Sequence, residues 1–201
     1  MPRALARSLL PLWSAAVLLG ASSVAVASAQ WSGHLLELSI AYGDAQLDTQ
    51  SCLVRDAAGV PDVAKDSPGY AVALLEHGGS VERARVVWEA VLAQQDKRGK
   101  SPTRGCFKWS TASEDHDPGT LIYTAPMLAR AYSSHAAALG DACAAGLKEA
   151  MELEVEALSQ EERRSEDEEA LIRHGALATL GAALGRPQYV TRAVEAVTEW
   201  V

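Results

Sequence analysis

One stretch between two helical patterns, residues 98–118, holds most of the side chains that could do chemistry. It carries two aromatic residues, a lysine, a histidine and three acids: Phe107, Lys108, Trp109, Glu114, Asp115, His116 and Asp117. Loops of this length inside compact domains are uncommon and are usually functional or disordered. Because only 5% of the chain is aromatic, this combination indicates a site for a carbohydrate or another polar small molecule.

The charged side chains of this loop have a catalytic interpretation and a structural one. The three acids could supply a carboxyl group for acid–base catalysis, and His116, flanked by two of them, could act as a general base. Alternatively, Glu114 and Asp115 are solvated, and Asp117 caps the helix that follows. Lys108 could pair with a carboxylate of a ligand or with Glu114.

The aromatic residues also have two interpretations. Trp109 and Phe107 could stack on a ligand, or they could anchor the loop as hydrophobic plugs. His174 lies on the apolar stripe of a later helix, which is typical of a core histidine rather than a catalytic one.

The sequence lacks the motifs of several common catalytic and cofactor-binding sites. The chain has no Gly-x-Ser-x-Gly nucleophile elbow, no phosphate-binding Gly-x-x-x-x-Gly-Lys loop and no Gly-x-Gly-x-x-Gly fingerprint. Its cysteines and histidines are not spaced as zinc ligands. We therefore expect no nucleotide, metal or other cofactor.

Helical periodicity is almost the only pattern that could position the loop. A helix is predicted from Ser80, its N-cap, with Val87, Trp88 and Val91 on the buried face. Ser67 and Pro68 predict the start of the helix before it, closed by Gly78, so that the two form a hairpin with a Gly-Gly turn. Beta-branched runs of period two are absent, which predicts an all-α fold without strands.

The other helices follow from similar stripes. One is predicted over residues 31–42, with Leu35, Leu38 and Tyr42 inward, and a second runs from 119 or 120 to 138. A third is predicted over a stripe of Leu147, Met151, Val155 and Leu158, and a fourth over Ala170 to Leu184. The last begins at about Gln188, with Val190, Ala193, Val194 and Val197 inward. Pro126 could move the start of the second of these to Thr124. Residues 75–84 resemble residues 184–193, which suggests a repeated helix-turn-helix unit.

The first 29 residues have the pattern of a cleaved signal peptide. Arg3 and Arg7 precede an apolar run, and Ala27 and Ala29 fit the cleavage rule. The run is shorter than the ~20 residues of a spanning helix, so we expect residues 30–201 to form one domain that is secreted or periplasmic, with no membrane contact after cleavage.

Charge limits the possible partners, and the cysteine content limits the possible disulfides. Loss of Arg3 and Arg7 leaves 16 basic residues against 26 acidic ones, and this net charge of −10 argues against nucleic acid as a partner. The acids concentrate in residues 161–169, which read as a solvated linker or helix start. With three cysteines, a bridge between Cys52 and Cys106 is expected as one alternative and three buried thiols as the other.

The order of these features resembles the exported six-hairpin α/α-toroid proteins, the glycosidase-like and polysaccharide-lyase-like superfamily. The resemblance is carried by the Gly-bounded hairpin that ends in residues 91–96, by the Gly-Cys-Phe-Lys-Trp segment 105–109, and by Asp117-Pro118 before a helix. It covers residues 67–201, or roughly half of such a toroid.

The resemblance implies a carbohydrate-binding cleft at the loop ends of a partial toroid. It implies Trp109 as a sugar-stacking platform and Glu114, Asp115 and Asp117 as acid or base. Beside what the resemblance implies, we expect Phe107, Lys108 and Tyr123 as further substrate contacts. Because residues 119–140 contain no acid, a second catalytic carboxylate would have to come from elsewhere.

Two further expectations remain open beside this one. The chain could instead be a non-catalytic helical-repeat module that presents a face to a protein partner. Trp200 and Val201 end the sequence inside an apolar-periodic helix without a stop signal, which suggests that the chain continues in a longer protein.

Overall fold

The computed structural model describes residues 33–161 and 168–199. These residues form seven α-helices, one 3₁₀ turn and one short β-hairpin, so the all-α prediction is confirmed. The elements are α1 (33–46), β1 (Leu47–Asp48), β2 (Leu53–Val54), α2 (Asp66–Glu76), α3 (Val81–Leu92), the 3₁₀ turn (Pro118–Thr120), α4 (Leu121–Leu139), α5 (Asp141–Glu161), α6 (Glu168–Ala183) and α7 (Pro187–Glu199).

The prediction that no strand forms is wrong for residues 47–54. There Leu47 pairs with Val54 and Asp48 with Leu53 in an antiparallel hairpin. The turn is closed by the Asp48 carboxylate, which accepts the backbone N–H of Ser51 at 3.0 Å. Strands of two residues are too short to show a period-two pattern, and for this reason the sequence does not reveal them.

The hairpin of α2 and α3 forms as predicted, with Gly78 in the left-handed conformation at φ 68° and Ser80 capping α3. The predicted N-cap of α2 is wrong, because Ser67 lies inside the first turn. The carboxylate of Asp62 instead accepts the backbone N–H groups of Lys65 at 2.8 Å and Asp66 at 2.7 Å. The Ser67 hydroxyl donates to the Asp62 carbonyl and accepts from the Val54 N–H, which ties α2 to β2.

The remaining helices pair along the chain in the same way. Helix α4 starts at Leu121 rather than Thr124 and keeps Pro126 inside it. It ends at Leu139, and Gly140 is its C-cap, as predicted. The predicted α5 stripe of Leu147, Met151, Val155 and Leu158 is fully buried, and His174 of α6 is buried as expected. Helix α2 packs on α4 and α4 on α6, while α3 packs on α5, so the helices lie in two rows.

Helices α1 and α7 do not bury the stripes predicted for them. In α1 the side chains of Leu35, Leu38 and Tyr42 are exposed, because this helix contacts α2 through Gly43, where a Cβ atom would lie 2.1 Å from the Tyr70 ring. In α7 the side chain of Ala193 is buried, but Val194 and Val197 are 60% and 43% exposed. Most of the stripe predicted for each of these helices is therefore open to solvent in the described part of the chain.

The predicted bridge between Cys52 and Cys106 is wrong. All three cysteines lie in the described part of the chain, and there none of them forms a disulfide. Cys52 sits in the tight turn of the β-hairpin at φ 60°, whereas Cys106 and Cys143 are buried. The alternative of buried thiols therefore holds for Cys106 and Cys143 but not for Cys52.

Other predictions fall on residues that are not described. The signal peptide, Trp31, the acidic segment 161–169 and the last three residues lie outside the described side chains. Within residues 33–161 and 168–199, no helix is both long and apolar enough to cross a bilayer.

Candidate functional site

The first half of the 98–118 loop is built around a buried carboxylate, Asp96, which no pattern in the sequence indicates. Asp96 is 2% exposed and accepts hydrogen bonds from the Arg98 guanidinium at 2.8 and 2.9 Å, from the Thr103 hydroxyl at 2.8 Å and from the Ser101 hydroxyl. The Arg98 guanidinium is the main cause that holds the pKa of Asp96 far below its ordinary value. The loop therefore has a fixed internal structure.

The loop is fastened to α5 through Gly105 and Gln95. The Gln95 amide donates to the carbonyl of Gly105 at 3.0 Å and to that of Ala150 at 3.1 Å. Gly105 adopts φ 94° and approaches so closely that a Cβ atom would lie 2.4 Å from the Leu153 carbonyl oxygen. Only glycine combines this backbone conformation with this contact.

Phe107 is the point at which the loop enters the core. Its ring is fully buried, its N–H donates to the Thr120 hydroxyl at 3.1 Å, and its carbonyl accepts the Asp117 N–H at 2.9 Å. It also forms an isolated backbone bridge with Gln95. A ring in this position packs the loop against the core, which favours the interpretation of Phe107 as a hydrophobic plug over a ligand contact.

Trp109, two residues later, lies at the surface and is half-buried. Its indole N–H donates to the Asp117 carboxylate at 2.8 Å, and its ring meets the ring of Tyr123 edge to face with centroids 5.6 Å apart. The ammonium of Lys65 lies over both rings, 4.9 Å from the Trp109 centroid and 4.3 Å from that of Tyr123. Trp109, Tyr123 and Lys65 therefore form one cluster.

Lys65 extends this cluster towards α1. It also lines an open groove of about 330 Å³ together with Leu35, Leu38, Tyr42 and Asp66. The rings of Tyr42 and Tyr123 are 45% and 40% exposed. We call Tyr42, Lys65, Trp109 and Tyr123 the aromatic surface. Trp109 and Tyr123 are predicted from the sequence as ligand contacts, whereas no signal in the sequence connects Lys65 or Tyr42 with the loop.

The remaining candidates lie in a different place. Lys108, Glu114, Asp115 and His116 line a groove of about 890 Å³, with side chains from the first half of the loop, including Arg98 and Lys100. Among the described residues, Lys108 and Glu114 do not form the ion pair that the sequence left open. The structure therefore divides the candidates between this charged groove and the aromatic surface.

Asp117 has a structural role that uses both carboxylate oxygens. One oxygen accepts the Gly119 N–H at 2.7 Å, which caps the 3₁₀ turn at the start of α4, and the other accepts the Trp109 indole N–H. The interpretation of Asp117 as a helix cap is confirmed. The side chains of Glu114 and Asp115 are exposed.

A second buried carboxyl group lies below the loop. Glu154 of α5 is fully buried, hydrogen-bonds through one oxygen to the Thr124 hydroxyl, and has no hydrogen-bond partner for the other oxygen. The Thr124 hydroxyl also lies 3.1 Å from the Thr120 carbonyl, and its single proton cannot serve two acceptors. Burial raises the pKa of Glu154 well above its ordinary value, so its protonated form completes this network by donating to Thr124.

Comparisons with known proteins found no relative of this chain. No protein-family model, curated protein or solved structure matches the chain. The six-hairpin toroid therefore stays a prediction that depends on the residues given above. Within the described ranges, no group of three histidine, cysteine or acidic side chains could hold a metal ion.

Proposed function

We propose that this protein binds a carbohydrate through the aromatic surface without cleaving it. The observation that carries this proposal is the edge-to-face pair of Trp109 and Tyr123, with Tyr42 beyond Lys65, in a chain in which 5% of residues are aromatic. Partly exposed rings offer large apolar area at little cost in conformational entropy, and the C–H faces of sugars pack against such rings.

The ring of Trp109 is held ready for such a contact. Asp117 fixes its indole N–H, and Gly119 leaves room for its edge, since a Cβ atom on Gly119 would lie 3.3 Å from Cζ2 of the indole. A ring that is ordered before binding loses little freedom when the ligand arrives. These contacts support a binding role for Trp109 rather than a role in the core alone.

The loop gives less support to catalysis. Glycoside hydrolysis uses two carboxyl groups about 5 to 9.5 Å apart, one of them kept protonated by its surroundings. Asp117 has both oxygens occupied by structural N–H donors, and Glu114 and Asp115 are exposed in the charged groove. We therefore propose glycan binding as the function and do not assign a catalytic pair.

The arrangement of helices supports the proposal of a hairpin repeat or partial α/α toroid. The pairs α2–α3, α4–α5 and α6–α7 are helical hairpins, and their first members pack on one another in one row. The similar segments 75–84 and 184–193 both form the turn between paired helices and both bury an alanine, Ala84 or Ala193. The proposed location is secreted or periplasmic, from the leader pattern in residues 1–29.

A second candidate function, binding of a protein partner, is favoured by the outer face of α7. Val194 and Val197 are exposed there one turn apart, and exposed apolar side chains that cluster on one face are typical of interaction surfaces. This face belongs to a different helix from the aromatic surface, so the two proposals can be tested separately.

The test of glycan binding uses Tyr123→Ala, since this ring is exposed and its removal leaves the core intact. We expect binding of oligosaccharides, measured by calorimetry across a panel of neutral and charged glycans, to weaken about tenfold, because one aromatic contact contributes roughly 1 kcal/mol. The melting temperature should stay within about 2 °C of the unsubstituted protein.

Ile172→Ala is the matched control, because Ile172 is 53% exposed but lies on α6. It should bind glycans like the unsubstituted protein. The proposal fails if no oligosaccharide in the panel binds, or if Tyr123→Ala binds every one of them unchanged.

A further inference from the structure

Lys65 has an unusual position for a charged side chain. Its side chain is exposed and forms no ion pair with any described residue, whereas Arg55 pairs with Asp48 and Arg83 with Asp44. Its contacts are instead the faces of Trp109 and Tyr123, both within 5 Å of the nitrogen. Two aromatic faces around one nitrogen are the arrangement that proteins use to bind organic cations.

The backbone and the side chain of Lys65 are held differently. Its N–H is fixed by Asp62 at the start of α2, so the residue cannot leave, but four rotatable bonds separate that anchor from the ammonium. The ammonium therefore occupies the two ring faces while the side chain stays covalently attached to a fixed backbone. A tethered group competes at a high effective concentration, yet a free ligand can displace it when that ligand makes further contacts.

The charges around the aromatic surface favour a cation as the displacing ligand. Asp117 holds the indole of Trp109, and Asp66 lines the groove that contains Lys65 and Tyr42. Lys65 is the cation of this group, and the whole chain carries a net charge of −8. When the Lys65 side chain swings away, the aromatic surface keeps these two carboxylates, one bound to the Trp109 indole and one in the groove with Tyr42. Two lysines of the loop, Lys100 and Lys108, also form no ion pair with a described residue, but they line the separate charged groove.

We propose that the ligand of the aromatic surface is a glycan with free amino groups, and that one sugar ammonium takes the position which Lys65 holds in the free protein. This inference rests on the proposed glycan binding and adds the class of ligand. The sugar ring packs against Tyr123 or Trp109, its ammonium lies over the rings, and Lys65 moves into solvent. Lys65 then lowers affinity for such a ligand by occupying its place and by repelling its charge.

The test compares Lys65→Met with the unsubstituted protein on three probes of equal length. The probes are a glucosamine oligomer, its N-acetylated counterpart and an oligogalacturonate. For the unsubstituted protein we expect the glucosamine oligomer to bind at least tenfold more tightly than the N-acetylated one, and this preference to fall as salt or pH is raised. In Lys65→Met the glucosamine oligomer should bind a further five- to tenfold more tightly.

Lys148→Met is the control, because Lys148 is an exposed lysine of α5 without an ion pair among the described residues. It removes the same charge from the chain and should leave the affinity for all three probes within twofold. A gain in Lys148→Met equal to that in Lys65→Met would overturn the proposal, since it would assign the effect to net charge.

The outcomes separate this inference from the proposed function. If Lys65→Met weakens binding, and the oligogalacturonate is the preferred probe, Lys65 pairs with an anionic ligand and the inference is wrong while glycan binding stands. Equal binding of the acetylated and free oligomers also overturns the inference alone. If none of the three probes binds, and the wider panel is negative too, the proposed function itself fails.

Discussion

Replacing Gly105 with alanine should lower the free energy of unfolding by roughly 2 to 5 kcal/mol. Two effects add at this position. An L-residue at φ 94° costs about 1 to 2 kcal/mol, and a Cβ atom 2.4 Å from the Leu153 carbonyl oxygen forces the loop away from α5 at a cost of about 1 to 3 kcal/mol more. The obstacle is backbone, which cannot turn aside as a side chain does. Urea unfolding followed by circular dichroism measures the change.

The shift of the loop should be visible in its contacts. Moving Gly105 breaks the hydrogen bond from Gln95 to its carbonyl and displaces the segment that carries Trp109. Gly59→Ala is the matched control, because Gly59 has φ 80° but no atom within 4 Å of its Cβ position. It should cost about 1 kcal/mol. Equal effects of the two substitutions would show that the loop does not contact α5 in this way.

The second large effect is expected at the buried acid, where Glu154→Gln should raise the free energy of unfolding at neutral pH by ~1 to 3 kcal/mol. This range follows from linkage, because a carboxyl whose pKa is raised by folding lowers stability by about 1.4 kcal/mol for each pH unit between its unfolded pKa and the pH of the measurement, up to its folded pKa. Glutamine keeps the shape and can donate to the Thr124 hydroxyl, which leaves the Thr124 proton for the Thr120 carbonyl. The substitution removes the carboxyl group, which is ionised at neutral pH in the unfolded chain but buried in the folded protein.

The pH dependence of this gain gives the sharper test. Burial raises the pKa of Glu154 in the folded state, so the folded protein binds more protons than the unfolded chain above the ordinary pKa of about 4.3. Stability from this group is therefore fully present below that pH and is lost as pH rises towards the folded value. The difference between Glu154→Gln and the unsubstituted protein should be near zero at pH 4 and should grow towards neutrality.

A surface carboxylate on the same helix provides the comparison. Glu149 is exposed and pairs with Lys97 at 2.7 Å, so Glu149→Gln should change stability by less than about 0.5 kcal/mol at every pH. A Glu154→Gln variant that is less stable than the unsubstituted protein at pH 7, or a gain independent of pH, would contradict a protonated Glu154.

Periodicity predicts the helices well where a neighbour covers the apolar stripe. The stripe of α5 is fully buried because α3, α4 and α6 surround it. The same pattern predicted buried faces for α1 and α7, yet Leu35 and Val194 are exposed. A stripe shows which side chains share a face, but the presence of a covering element depends on tertiary packing, which no local pattern contains.

The candidate site could be predicted only in part for a similar reason. Composition identified the loop, and Trp109 and Tyr123 do lie together at its surface. Phe107 was grouped with Trp109 although the structure buries it, because nothing in the sequence shows which side of an irregular segment faces the core. Lys65 comes from the start of α2, 44 positions before Trp109, and only the fold brings it to the rings.

The most direct test of the account is the indole N–H signal of Trp109 in an NMR titration with an oligosaccharide that binds. Trp109→Phe identifies this signal by removing it, and the indole of the fully buried Trp88 serves as the internal reference. The account predicts that the Trp109 signal shifts in proportion to occupancy while the Trp88 signal stays in place. A saturated complex in which the Trp109 signal does not move would show that the glycan binds elsewhere and would contradict the proposed function of the aromatic surface.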